Sequence, residues 1–190
     1  MNIRVALFVA LTVLVSCAAR PRPDSGEFFD ERSGNTLSVV AKPLVFARER
    51  SDVAAHARDY ATLVAIDLDR SGEYSQYLLL YRWSTVDPRM SPPPAPEAGA
   101  LRLLADGRSI DLKPLDRLPI GMDERSNLHM PDHGDAVTRA YRVDSALLHF
   151  IAASHEMTLR MPQESFDTSF TIWQDGRAAL LHFLQRTVTP

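Results

Sequence analysis

The stretch YATLVAIDLDRSGEYSQYLLLYRW, Tyr60–Trp83, decides the fold. In its first half Tyr60, Thr62, Val64, Ile66 and Leu68 alternate with Ala61, Ala65, Asp67 and Asp69. Successive side chains of a strand point to opposite faces, so this period of two predicts a half-buried strand. Ser71-Gly72 then offers a tight turn, and the chain returns through Tyr77, Leu79, Tyr81 and Trp83 on one face with Leu78 and Leu80 on the other. Apolar residues on both faces predict a central strand that is covered on both sides. Two long strands around a two-residue turn make an antiparallel hairpin, and the rest of the chain is read as what joins it.

Working outward, Leu37 to Phe46 is rich in Val and Leu but carries Pro43, which predicts an edge strand or a bulge because proline has no N–H for a ladder. Leu101 and Leu103, then Asp106-Gly107, then Ile110 and Leu112, form the sharpest hairpin signal in the chain. Val137, Tyr141 and Val143 predict another strand, and Asp144-Ser145 caps a helix whose Leu147, Phe150 and Ile151 recur at helical spacing. Strands follow at Met157, Leu159 and Met161 and at Phe166, Phe170 and Ile172, joined through Pro162 to Ser165. From Ala178 to Leu184 the apolar residues return every three to four positions and none is β-branched, which favours helix over strand, with Asp175 or Gly176 near its cap. The expected fold is α+β: a mainly antiparallel sheet or sandwich with two C-terminal helices packed on it. Two stretches stand apart as long loops, Ser84 to Gly99 with Pro88, Pro92, Pro93, Pro94 and Pro96, and Pro114 to Asp135. Loops of this length in one domain point to binding or movement.

The N-terminus obeys different rules. Arg4 precedes an apolar run from Val5 to Val15, broken only by Thr12, and Leu14-Val15-Ser16-Cys17 follows. A membrane span needs about 20 apolar residues, so the run is too short and fits the core of a signal peptide. Leu14 to Cys17 resembles the lipobox of bacterial lipoproteins. The resemblance implies cleavage before Cys17, a thioether-linked diacylglycerol on its sulfur, and a further acyl chain on the new amino group. One acyl chain binds a bilayer only marginally, at about 0.8 kcal/mol per buried methylene, whereas two or three anchor it stably. Ala18, where lipoproteins kept in the inner membrane tend to have aspartate, implies the outer membrane, facing the periplasm. The body is also similar to proteobacterial lipoproteins of this size, through Tyr77 to Pro88 and Gly176 to Arg186, a resemblance that implies no activity. The expected organisation is a signal peptide over 1–16, a lipidated cysteine with a flexible tether over 17–35, and one periplasmic domain over 36–190.

Composition narrows the partners. Losing Arg4 with the leader takes the net charge from −3 to −4. That mild acidity gives nucleic acid no electrostatic foothold. Cys17 is the one cysteine, so no internal disulfide forms and stability rests on packing.

Motifs with chemistry are few. Asp67-Leu68-Asp69-Arg70-Ser71-Gly72 matches the opening of a calcium loop, but position twelve is Leu78 where a bidentate carboxylate belongs, and the bland account is a hairpin with Asp67 and Asp69 facing water. His129, Asp132, His133 and Asp135 offer imidazoles and carboxylates suited to zinc or copper, on a loop where nothing fixes a further ligand. His149, His155 and His182 read as surface or boundary residues. Ser154-His155-Glu156 are adjacent, so on a strand their side chains diverge, and no Gly-x-Ser-x-Gly elbow or glycine-rich phosphate loop exists. The aromatic face of Tyr77, Tyr81 and Trp83 reads as core in preference to a ligand platform. The only site assigned is lipid attachment at Cys17, with no catalytic, metal or cofactor residues. The expected function is a membrane-anchored, non-catalytic adaptor or structural component of the cell envelope that meets another envelope protein through its long loops. A small-ligand or peptide binder is the alternative, and a hydrolase or metal-binding protein comes third.

Overall fold

A computed structural model describes residues 25–87, 100–120, 122, 137–162 and 167–187. Its elements are β1 (Ser25–Asp30), β2 (Asn35–Val40), β3 (Leu44–Glu49), β4 (Arg58–Arg70), β5 (Glu73–Ser84), β6 (Leu101–Ala105), β7 (Arg108–Leu112), β8 (Val137–Val143), α1 (Ser145–Ala153), β9 (Met157–Pro162), β10 (Asp167–Gln174) and α2 (Arg177–Thr187). The strands form one sheet, paired antiparallel throughout, so the fold is α+β with a single curled sheet in place of a sandwich.

The β4–β5 hairpin is its spine, paired without a break from Asp59 opposite Ser84 to Arg70 opposite Glu73. Ser71 and Gly72 both take positive φ, 55° and 92°, the backbone of a turn that matches the right-handed twist of its strands. Asp69 holds this turn by accepting the Gly72 N–H at 2.7 Å. Every β4 residue from Tyr60 to Leu68 is buried, which corrects the half-buried strand expected from its alternation. The small Ala61 and Ala65 mark no apolar face in the sequence, yet they sit on a covered one.

β2 and β3 both pair with the other edge of β4. Between Val39 opposite Ile66 and Leu44 opposite Leu63 the β2–β3 chain advances five residues against three, so two extra residues are accommodated around Ala41-Lys42-Pro43. Pro43 therefore marks a break inside the sheet and not an outer edge. Beyond the break the sheet divides, because β2 pairs next with β1 and β3 with β10. β1 itself falls within the segment expected to be tether. Its Ser-Gly-Glu start has poor strand propensity, and full pairing with β2, from Ser25 opposite Val40 to Asp30 opposite Asn35, holds it.

From β3 the sheet continues through β10, β9, β6 and β7, and from β4 through β5 to β8. The two ends meet where Pro114 bridges Tyr141 and the Leu115 N–H donates to the Ala140 carbonyl at 2.8 Å. One face is apolar and buried all the way round, with Phe46, Leu63, Leu78, Leu80, Leu101, Leu103, Leu159 and Phe170, and is the inside of the curl. On the other face Arg102, Asp111, Thr171 and Trp173 are exposed or half-exposed.

Strand directions sort the connections. Segments 50–57, 85–100, 113–136 and 163–166 all leave from one end of the curl. The other end carries the turns at Ser71-Gly72 and Asp106-Gly107 and the starts of both helices. Asp106 pins that end: its carboxylate accepts the backbone N–H groups of His155 (2.9 Å) and Glu156 (2.8 Å), just where α1 hands over to β9. α1 is capped by Asp144, which accepts the Leu147 N–H at 2.7 Å, and α2 starts with Asp175 accepting the Arg177 N–H at 3.0 Å. The helices pack on each other, and Leu148, Ile151, Leu180, Phe183 and Leu184 join the one continuous core. Gly176 lets the start of α2 lie against the break between β2 and β3. A Cβ there would lie 2.5 Å from the carbonyl oxygens of both Lys42 and Pro43.

Candidate functional site

The loop-bearing end gathers the polar and aromatic side chains that the core does not use. On the inner face the register sets Arg48 of β3 opposite Asp59 of β4, and Asp59 opposite Ser84 of β5. Arg82 of β5 and Arg139 of β8 share that face one step further round. The Asp59 carboxylate accepts from Arg48 Nη2 at 2.5 Å, Arg50 Nη1 at 3.2 Å and Ser84 Oγ at 2.7 Å. Burial pushes the Asp59 pKa up, but these donors outweigh it and hold the group below the ordinary carboxylate value, so it stays charged. Deeper on the same face lies Tyr141. Burial raises its phenol to about 12, against the pull of the Arg139 and Arg82 charges. Arg48 lies over the Phe170 ring at 5.6 Å, and its Nε is buried with no hydrogen-bond partner among the described residues. Among the described strand residues at this end, Asp59 is the one carboxylate on the inner face, against Arg48, Arg82 and Arg139.

The outer face of the same end is aromatic. Tyr60 and Trp83 sit opposite each other on β4 and β5 and stack with ring centroids 4.0 Å apart at 10°. Trp173 of β10 meets Tyr60 edge-on at 6.2 Å and 79°, and the Arg58 guanidinium lies over the Trp173 ring at 4.6 Å. Arg58 is held in turn by Glu49 at 3.1 Å. Trp173 remains 56% exposed, although a tryptophan loses more by facing water than nearly any other side chain.

The positions singled out from sequence fare differently. Tyr77 and Tyr81 are core, as expected, while Trp83 reaches the rim and belongs to the aromatic cluster. Asp67 does not face water: it is 4% exposed on the inner face, because β2 and β5 flank it and the curl closes over it. Its neighbour Asp69 spends an oxygen on the turn, so the two do not converge as ligands. Ser154 is buried with its hydroxyl on the Ile151 carbonyl, whereas the His155 side chain is 92% exposed beside Asp106, so the adjacent Ser154, His155 and Glu156 form no relay. His149 and His182 lie on exposed faces of α1 and α2. Among the described residues no three His, Cys, Asp or Glu side chains gather, and no helix is long and apolar enough to cross a membrane. Cys17 and the loop from His129 to Asp135 lie outside the described residues.

Sequence reasoning missed the arginine row and the Trp173–Arg58 pair. Their sequence signal is arginine at the ends of apolar strands, and only the register reveals that three such ends meet on one face. Comparison with family models, with curated proteins and with solved structures finds no match.

Proposed function

We propose that this chain is a lipoprotein of the bacterial envelope, tethered to the outer membrane through acylated Cys17, and that it acts without catalysis as an adaptor that holds another envelope protein against its loop-bearing end. The anchor part of the reading is supported by Leu14-Val15-Ser16-Cys17 after the apolar run. The adaptor part is carried by the surface cluster of Trp173, Arg58, Tyr60 and Trp83. Tryptophan, tyrosine and arginine dominate the energetics of protein interfaces, and here they are grouped and preset by stacking, with Trp173 exposed, Arg58 and Trp83 half-buried and Tyr60 buried. Paired strands hold the cluster in place, the usual support of binding surfaces on β scaffolds.

A photo-crosslinking residue placed in living cells at Trp173, at Val53 in the 50–57 loop and at Leu181 on α2 tests the reading. Capture of the same envelope protein from the first two positions and not from Leu181 is the expected result. Equal capture from all three, or none from Trp173, refutes it.

A further inference from the structure

We infer that the turn end of the curl, where Phe29 and Tyr74 stand exposed, rests on the headgroup layer of a neutral bilayer and so points the loop-bearing end away from the membrane, toward its partner. The inference deepens the proposed function and rests on its anchor at Cys17.

The register brings the two rings into one row. Phe29 of β1 lies opposite Thr36 of β2, Thr36 opposite Asp69 of β4, and Asp69 opposite Tyr74 of β5. Residues directly opposite share a face, so both rings project from one side of the sheet, three strand spacings or about 14 Å apart. Phe28 alternates to the other face and packs on the core, whereas Phe29 is 65% and Tyr74 64% exposed, more than any other described aromatic residue. The tether decides what they face. Gly26 pairs with Val39 and Val39 with Ile66, which sets the start of β1 beside the middle of β4. From Ile66 the turn end at Arg70 is four residues away, about 13 Å, and the loop-bearing end at Arg58 is eight, about 26 Å. The nine residues from Cys17 to Gly26 span at most about 31 Å. The turn end therefore reaches a bilayer with slack, while in the opposite pose only about 5 Å remains to clear the connections 50–57, 85–100 and 113–136. Aromatic rings gather where hydrated headgroups meet the apolar interior of a membrane. The two turns beside the row carry Asp30, Glu31, Asp69 and Glu73 against Arg32 and Arg70. Without surplus positive charge, anionic lipid gains nothing over neutral lipid, so the contact is apolar and the surface it fits is zwitterionic.

The full processed chain is reconstituted into phosphatidylcholine vesicles that contain a lipid with a nitroxide on its headgroup. Acylation consumes the Cys17 thiol, so one introduced cysteine is the single site for a fluorescent label. Glu31→Cys reports beside the row, and Thr171→Cys, exposed near the loop-bearing end, is the control. Quenching of the label at 31 and not at 171 is expected. Combining Phe29→Ser and Tyr74→Ser with the reporter at 31 is expected to remove most of that quenching at an unchanged melting temperature, since both rings are exposed. Equal quenching at 31 and 171, or quenching at 31 that survives the double substitution, overturns the inference. So does stronger quenching at 31 when half the lipid is phosphatidylglycerol. Flotation scores the anchor separately. A chain that floats with the vesicles but shows no quenching at 31 overturns the orientation alone and leaves a second copy or another protein as occupant of the row. A chain that does not float overturns the anchor and the orientation together.

Discussion

Replacing Asp67 by asparagine makes the protein more stable at neutral pH. Asp67 is buried on the inner face, with one oxygen lacking any partner among the described residues. Its side-chain support there is Gln76, whose own carbonyl accepts the Ser145 hydroxyl at 3.0 Å at the start of α1. Burial is the main cause that lifts its pKa from 3.8 to about 6, helped by repulsion from Asp69 and opposed by Gln76. A carboxyl group raised in this way favours the folded state when protonated. Its contribution is fully present below about pH 4 and is lost as pH climbs through about 6, where folding must bury a charge. That displacement corresponds to about 3 kcal/mol of penalty at neutral pH. The asparagine side chain keeps the shape of the carboxyl group and never ionises. Thermal unfolding followed by circular dichroism at about pH 7.5 is therefore expected to show a melting temperature raised by roughly 6–12 °C in Asp67→Asn, at roughly 2–4 °C per kcal/mol for a domain of this size. At about pH 4 the gap closes. Equal stability of the two proteins at neutral pH, or parallel stability curves across the acidic range, refutes the reasoning.

Gly176→Ala drives a methyl group into the Lys42 and Pro43 carbonyls, so chemical denaturation is expected to show a loss of at least about 2 kcal/mol, whereas Ala178→Gly at an exposed position of α2 costs about 1 kcal/mol or less through propensity. Asp106→Ala removes the acceptor of two backbone N–H groups and leaves a side chain at φ 46°, so its melting temperature falls further than that of Asp111→Ala, which loses only an exposed pair with Arg102. Asp106→Gly, free of the backbone strain, recovers part of the loss. Cys17→Ser is expected to abolish labelling with a radioactive fatty acid in growing cells; label retained on the variant rules out lipidation at this position.

What was legible in the sequence was local. Ser71-Gly72 and Asp106-Gly107 announce turns because they take the positive φ that few other pairs accept, and Asp144 and Asp175 announce helices because their carboxylates reach free N–H groups. The strands between them follow from period and β-branching. What was hidden depends on which strands become neighbours. β1 carries Ser25, Gly26 and Glu27, and only its pairing with β2 makes it a strand. Asp67 looks like a solvent-facing alternate until β2 is placed beside it. The arginine row is spread over Arg48, Arg82 and Arg139, far apart in the chain, and no spacing rule joins them. Trp173 likewise reads as one more strand aromatic until the bulge between Ile172 and Gln174 and the nearness of Arg58 turn it into part of a surface cluster.

The two surplus residues at Ala41-Lys42-Pro43 make β4 a branch point, with one edge shared between two different neighbours. β3 commits its far side to β10 and thereby to the closed circuit of strands. β2 commits its far side only to β1, which ends the branch. Mechanically, the β1–β2 leaf hangs outside that circuit: peeling it breaks the β2–β4 rungs from Thr36 to Val39 and uncovers Leu37, Val39 and Val40, but leaves the rungs of the circuit itself paired. Under the proposed anchorage, a pull arriving along the chain from Cys17 reaches Ser25 first and loads that leaf before any strand of the circuit.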